Sequence, residues 1–226
     1  MLSQFNNEPL EAVNDSIVIG ADSTLSILFL GNSLTYTGVP EEEADKEKRG
    51  LTSTKKEYDY VHRLVKMISN NDKVNVRYSV VNISGFERTF TSRGFEKEML
   101  GNVSNITPDY LIIQIGENVA REDINSNHLR YKKELIELLS LFPSSKIIIT
   151  LPFWPYNEVN YAHTDVAMDL GALIVDLSHL GNGTDKENFA SSQRSYKQSG
   201  VGEHPGDRGM ERIADCLYVG YKALKD

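Results

Sequence analysis

The chain has 226 residues, a length that suits one large domain or two small ones. Apolar residues make up 40% and charged residues 25%, the balance of an ordinary globular protein with a core of useful size. With 32 acidic against 24 basic residues, a net charge of −8 and no basic stripe, the chain is poorly suited to a nucleic-acid backbone.

One cysteine, Cys216, excludes an internal disulfide and any cysteine-built zinc site. It sits in an apolar helical pattern and is expected to be a buried, inert thiol. No run of 18 apolar residues exists, so no membrane span is expected. The first residues, MLSQFNNEPLEAVNDS, lack a basic start and an apolar stretch, so they do not read as a signal peptide. A cytoplasmic protein and an exported one whose leader has been removed both remain open.

Residues 1–25 are polar and weakly patterned and read as an N-terminal arm; residues 26–226 read as a single domain. Residues 26–30 form a first apolar strand. The segment from Tyr36 to Lys56 holds a charged run, Glu41 to Arg49. It is expected to be a solvated surface insertion, with a flap beside a site as the functional reading. Val61, Leu64, Val65 and Ile68 recur at helical spacing. Val74 to Ile83 alternates as a second strand, and Ser84-Gly85 breaks it. A helix is expected in the later part of Phe86 to Leu100. Tyr110 to Ile115 is a third strand, nearly all apolar, as in a sheet covered on both faces.

Leu129 to Leu141 reads as a helix and Lys146 to Leu151 as a fourth strand. Pro152 to Tyr156 is an aromatic loop. A helix from Glu158 to Leu170, a fifth strand from Ala172 to Leu177, a long polar loop from Leu180 to Gly200 and a closing helix from Asp207 to Leu224 complete the chain. Five alternations of strand and helix predict a parallel sheet with helices on both faces, joined by right-handed crossovers.

In such a sheet the strand ends that carry sites lie along one edge. Ser33 follows the first strand, Gly85 the second and Asn118 the third, and His204 precedes the last helix. A serine hydroxyl needs a base within hydrogen-bond reach to act as a nucleophile, and a histidine supplies one. A developing oxyanion needs donors already aimed at it. The backbone amides of Ser33 and Gly85 and the Asn118 side chain can provide three. Gly85, lacking a Cβ, lets the backbone approach a substrate.

Phe153, Trp154 and Tyr156 follow the fourth strand at the same edge. They are candidates to stack on a sugar or an acyl chain, with packing of a Pro-bounded loop as the alternative. Arg88 and Arg93 are candidates to meet an anionic substrate, with a solvated helix face as the alternative. His62, His128, His163 and His179 have no metal-ligand spacing and read as surface or satisfied core residues.

Gly31-Asn32-Ser33-Leu34-Thr35 resembles the first conserved block of the SGNH, or GDSL, hydrolases. Asn82-Ile83-Ser84-Gly85 resembles the second, Gly116-Glu117-Asn118 the third, and His204-Pro205 the histidine of the last. The resemblance implies an α/β fold, a flavodoxin-like three-layer α/β/α sandwich with a five-stranded parallel sheet. It implies hydrolysis of esters or thioesters without cofactor or metal. In that reading Ser33 is the nucleophile, His204 the base, and Ser33, Gly85 and Asn118 the oxyanion donors. The substrate would be a small-molecule or glycan ester, small acyl groups on carbohydrate above all.

Two departures stand out. Asn32 occupies a position where the family usually has Asp, and Val201 occupies the usual place of the acid that orients the histidine. Glu203 is badly directed to replace that acid, and Asp207 reads as a helix cap. A backbone carbonyl holding the imidazole would leave a Ser–His dyad. A catalytically degenerate carbohydrate- or ligand-binding module is the alternative to an esterase.

Overall fold

The computed structural model describes residues 10, 12–37, 49–92 and 97–225. Arg93 and residues 38–48 of the charged insertion lie outside the described residues. Six strands form one sheet: β1 (Val13–Ile17), β2 (Thr24–Gly31), β3 (Asn75–Asn82), β4 (Tyr110–Gln114), β5 (Lys146–Leu151) and β6 (Leu173–Asp176). The helices are α1 (Tyr60–Asp72), α2 (Ser84–Thr89), α3 (Arg121–Leu139), α4 (Asn157–Leu170), the short α5 (Ser199–Gly202) and α6 (Asp207–Lys225).

The spatial order of the strands is β1-β3-β2-β4-β5-β6. The five expected parallel strands are β2 to β6, and the second, first, third, fourth and fifth of them lie side by side. This is the flavodoxin-like winding, whose switch point falls between β2 and β4. The sixth strand, β1, runs antiparallel along β3, with Val13 opposite Val80 and Ile17 opposite Val76. It arises from the polar arm, where alternate residues are half-buried on the sheet and the rest exposed. Asp15 on this strand holds Lys56 at 2.7 Å and Tyr78 at 3.2 Å. The edge of β3 is thereby covered.

Alternation along the strands divides the core into two layers. Ile27 and Phe29 of β2 and Ile112 of β4 face α1 and α6, meeting Leu64, Ile68, Met210, Ile213 and Leu217. Leu28 and Leu30 of β2 with Leu111 and Ile113 of β4 face α2, α3 and α4, meeting Phe86, Tyr131, Leu135 and Val166. Both faces of the central strands are dry, which explains why their sequences are continuous apolar runs.

Two helices differ from the sequence reading. α2 begins at Ser84, directly after β3, because the Asn82 side chain accepts from the Ser84 amide at 2.9 Å and Phe86 and Phe90 anchor the turn below. α3 begins at Arg121, eight residues earlier than the apolar spacing indicates. Its first half is polar, with Ile124 as the only apolar anchor, and it bends at Asn127 (φ −136°, ψ 28°). Cys216 is half-buried rather than buried, and partial burial raises its thiol pKa. Among the described residues no helix is long and apolar enough to cross a membrane.

The strand register brings the site together. Gly31 at the end of β2 lies beside Asn82 of β3 and Gln114 of β4. The turn after β2 folds back so tightly that a Cβ on Gly31 would lie 1.8 Å from Thr35 Oγ1. Gly31→Ala is therefore expected to force Thr35 aside and lower stability by about 1–3 kcal/mol, the usual cost of overpacking. A lower urea midpoint with unchanged slope would register it; an unchanged midpoint would show that the turn yields freely.

Candidate active site

The turn after β2 is fastened by its own backbone. The Asn32 carbonyl accepts from the amides of Thr35 (3.1 Å) and Tyr36 (2.9 Å), and Asn32 Oδ1 accepts from the Leu34 amide (3.1 Å). Ser33 stays half-exposed between buried neighbours. From the other side the Leu51 amide donates to the Ser33 carbonyl at 2.9 Å. Arg49, at the end of the charged run, is only 4% exposed and donates to the Ser53 carbonyl at 2.8 Å, so this flank of the insertion is packed rather than solvated.

His204 lies between α5 and α6. Its carbonyl accepts from the Ala190 amide at 2.8 Å, and Thr52 Oγ1 donates to the Pro205 carbonyl at 2.8 Å. Asp207 opens α6 and binds the Thr54 amide (2.8 Å) and hydroxyl (2.5 Å), tying the same loop to the helix. The structure thus brings Ser33 and His204 together, with Oγ 3.5 Å from Nε2. Such contacts are commonly long in an unliganded site and tighten around substrate.

The other ring nitrogen of His204 settles the question raised by Val201. Nδ1 lies 2.9 Å from the Gly200 carbonyl oxygen. A carbonyl only accepts, so Nδ1 carries the hydrogen and Nε2 presents its lone pair to Ser33. Glu203 is exposed. Trp154 meets the imidazole edge-on, with ring centres 5.3 Å apart. Burial lowers the His204 pKa below its ordinary 6.5, against the opposing effect of the Gly200 and Val201 backbone.

Behind Ser33 lies a pair of carboxylates. Glu87 on α2 is fully buried. Its Oε1 accepts from the Gly116 amide (2.6 Å), the Asn118 amide (3.1 Å) and Asn32 Nδ2 (3.3 Å), and its Oε2 accepts from Asn118 Nδ2 (2.8 Å). Glu117 accepts from Asn32 Nδ2 and Gln114 Nε2 (both 2.6 Å) and from the Phe153 amide (2.9 Å). The Asn32 amide nitrogen therefore bridges the two acids. Burial raises both carboxyls above their ordinary 4.5, and for Glu117 the Glu87 charge adds to it.

The sequence-derived candidates divide accordingly. Asn118 meets α2 through Glu87 and through Arg88, whose Nη2 donates to Asn118 Oδ1 at 2.5 Å. Arg88 thus holds a neighbouring side chain, and Nη1 also reaches the Ser84 carbonyl at 3.2 Å. Gly85 lies in the first turn of α2, where amides have no partner in the preceding turn of helix. The aromatic loop is not one surface. Phe153 is fully buried and packs edge-on against Trp154 and Phe189, so it belongs to the core, which corrects its candidacy as a substrate platform. Tyr156 packs with the α3–α4 layer and carries the Arg121 guanidinium 5.4 Å above its ring. Trp154 alone of the three meets His204.

His163 is buried between the Thr150 carbonyl (2.8 Å) and the Tyr131 hydroxyl (2.8 Å), and burial lowers its pKa to about 4, so it is a neutral core residue. His62 pairs with Asp59, whose side chain caps α1. Among the described residues no three His, Cys, Asp or Glu side chains are grouped as a metal site requires.

Sequence reasoning missed Glu87 and the role of Gly200. Asn32 carried a signal for the first. An amide in place of the usual acid implies that carboxylates arrive from elsewhere in the fold.

Comparison with known proteins is informative at the level of fold. No family model and no curated protein matches the chain. Among solved structures, a two-domain esterase active on acetylated mannans superposes over 90% of this chain and 50% of its own, with a TM-score of 0.58 at 15% identity. A family-two carbohydrate esterase from Cellvibrio japonicus superposes over 88% of this chain and 61% of its own, at 0.56 and 15%. A protein classed as a GDSL-like lipase from Parabacteroides merdae superposes over 89% and 97%, at 0.59 and 14%. The fold is that of the SGNH/GDSL-type hydrolases. The chain spans about half the length of the two-domain mannan esterase.

The carboxylate pair makes stability pH-dependent. A carboxyl whose folded pKa is raised contributes fully below its ordinary 4.5 and loses that contribution as pH climbs through the raised value. The unfolding free energy is thus expected to fall as pH rises from 4.5 through about 7, the value to which burial and the Glu87 charge push Glu117, and Glu117→Gln to flatten that fall. Asn32→Asp would place a third carboxylate between the two and lower the melting temperature, increasingly so as pH rises. Adding Glu117→Gln, which returns a donor, should recover part of the loss. Parallel pH-dependent melts of the three variants would check this, and identical slopes would refute it.

Proposed function

We propose that the chain is a serine hydrolase cleaving carboxylic esters through an acyl-enzyme. The observation that carries this reading is the placement of His204 Nε2, 3.5 Å from Ser33 Oγ, with Nδ1 anchored on the Gly200 carbonyl. As Ser33 Oγ bonds to the ester carbonyl carbon, its proton passes to Nε2. The oxyanion then forms beside the Ser33 and Gly85 amides and Asn118 Nδ2. Collapse breaks the bond to the alkoxy oxygen, and His204 returns the proton to that leaving group. Water, deprotonated by the same imidazole, releases the acid and restores Ser33.

The usual acid of a triad holds the histidine tautomer and stabilises the imidazolium. A carbonyl does the first fully and the second in part, through its dipole. The base here is therefore correctly oriented but less supported in its charged form, which burial disfavours as well. The substrates we favour are small acyl esters of carbohydrates. Supporting this are the Trp154 ring beside the base and the acetyl-mannan and carbohydrate esterases that have the same fold. That Nδ1 meets the Gly200 carbonyl, with no carboxylate beside it among the described residues, favours one second reading, a binding module that keeps the architecture without turnover.

Hydrolysis of p-nitrophenyl acetate by the wild type and by Ser33→Ala separates the two readings. The esterase reading expects Ser33→Ala to lower kcat by more than about 10³-fold, as loss of a nucleophile does. Its kcat/KM should rise with pH through a single ionisation below the ordinary histidine 6.5 and then level. Equal rates in wild type and variant would reject it.

A further inference from the structure

We propose that Glu87 is the positioning residue of the oxyanion hole, fixing which end of the Asn118 side-chain amide faces the reacting carbonyl. The inference rests on the ester-hydrolase reading above. An Asn side chain is nearly symmetric in shape but not in chemistry. Turned one way it offers N–H to an oxyanion; turned over, it offers an oxygen that repels one. Something must hold the productive orientation before substrate arrives, because a donor that reorients during the reaction loses much of its effect.

Here both ends of the amide are held. Asn118 Nδ2 donates to Glu87 Oε2 at 2.8 Å, and Asn118 Oδ1 accepts from Arg88 Nη2 at 2.5 Å. A carboxylate can only accept and a guanidinium can only donate, so each clamp rejects the reversed amide. The clamps are consecutive residues on α2, and the Asn118 backbone amide is fixed on Glu87 as well, at 3.1 Å. Nδ2 has two hydrogens. Glu87 takes one, and in the ester-hydrolase reading the other is the donor to the oxyanion. Contact with a carboxylate also makes this a charge-assisted bond, stronger than a neutral one.

Glu87 is in turn held from other sides. It is fully buried, and the Gly116 amide and Asn32 Nδ2 hold its Oε1 at 2.6 and 3.3 Å. Gly116 reaches that oxygen with φ at +120°, and a Cβ there would lie 2.6 Å from Pro152. The turn that presents Asn118 is therefore set by glycine conformation and by Glu87 together.

Glu87→Gln keeps the shape and removes the acceptor-only character. The Gly116 and Asn118 backbone amides retain the Gln oxygen, so the new NH2 faces Asn118 Nδ2, donor against donor, and the productive orientation loses its anchor at that end, with Arg88 alone left to oppose the reversed amide. The variant should lose about 10²–10³-fold in kcat on p-nitrophenyl acetate, the effect of losing one oxyanion donor, with KM little changed. Because the loss acts through Asn118, Glu87→Gln combined with Asn118→Ala should be no slower than Asn118→Ala alone. Independently of turnover, the Asn118 side-chain NH2 resonances, assigned by their disappearance in Asn118→Ala, should move in Glu87→Gln.

If Glu87→Gln does not fold, Arg88→Met tests the clamp from its exposed end. It should lower kcat, again without a further loss in the Asn118→Ala background, and should move the same resonances. Multiplicative kcat losses, or NH2 resonances that stay in place in the folded clamp variant, overturn the proposal. A wild type that hydrolyses no ester overturns the ester-hydrolase reading instead, and the resonances then decide the positioning role alone.

Discussion

Two carboxylates set into the carboxyl edge of the sheet must be met by donors, and the site loops are folded around that requirement. An unsatisfied buried charge is among the most costly features a protein can carry. Glu87 and Glu117 avoid it by gathering donors from the turn after β2, from β4 and the turn that follows it, and from the loop after β5. Three separate loops are thereby given one relative position. The half-exposed nucleophile candidate, Ser33, follows directly on the bridging residue Asn32. The amide at position 32 then has a physical reason, since a carboxylate between two others would be repelled by both.

The second constraint is the histidine. Its orienting partner is a backbone oxygen one turn away rather than a side-chain acid, so α5 acts as part of the site. The contacts of Thr52 with Pro205 and of Thr54 with Asp207 fasten this segment to the loop whose Leu51 amide holds the Ser33 carbonyl. Base and hydroxyl are consequently positioned by one continuous set of backbone and side-chain hydrogen bonds, although they stand 171 residues apart in the chain.

Much of the architecture was legible in the sequence because it rests on local pattern. Runs such as Ile27 to Leu30 and Leu111 to Ile115, short and bounded by turn residues, read as strands buried on both faces, and their alternation with helices leaves little choice of fold class. Ser33, Gly85, Asn118 and His204 could be named as candidates because each follows or precedes such an element. What escaped depends on contacts with no local period. β1 exists because β3 has a free edge, not because residues 13–17 are strongly apolar. α2 starts early because Asn82 and two phenylalanines fix it. Glu87 looks like any surface helix acid until Gly116, Asn118 and Asn32 are brought to it from the turns after β4 and β2. Phe153 follows a strand as a ligand-facing residue would, yet Trp154 and Phe189 enclose it.

The central claim is that Ser33 and His204 act together as nucleophile and base, and the most direct test is covalent. Wild-type protein treated with a fluorophosphonate and digested should carry the phosphonyl group on the peptide containing Ser33, as read by mass spectrometry. Labelling should all but disappear in His204→Ala and should weaken as pH falls below the ordinary histidine range. An unlabelled Ser33 in the folded wild type, or labelling indifferent to His204, would contradict the account.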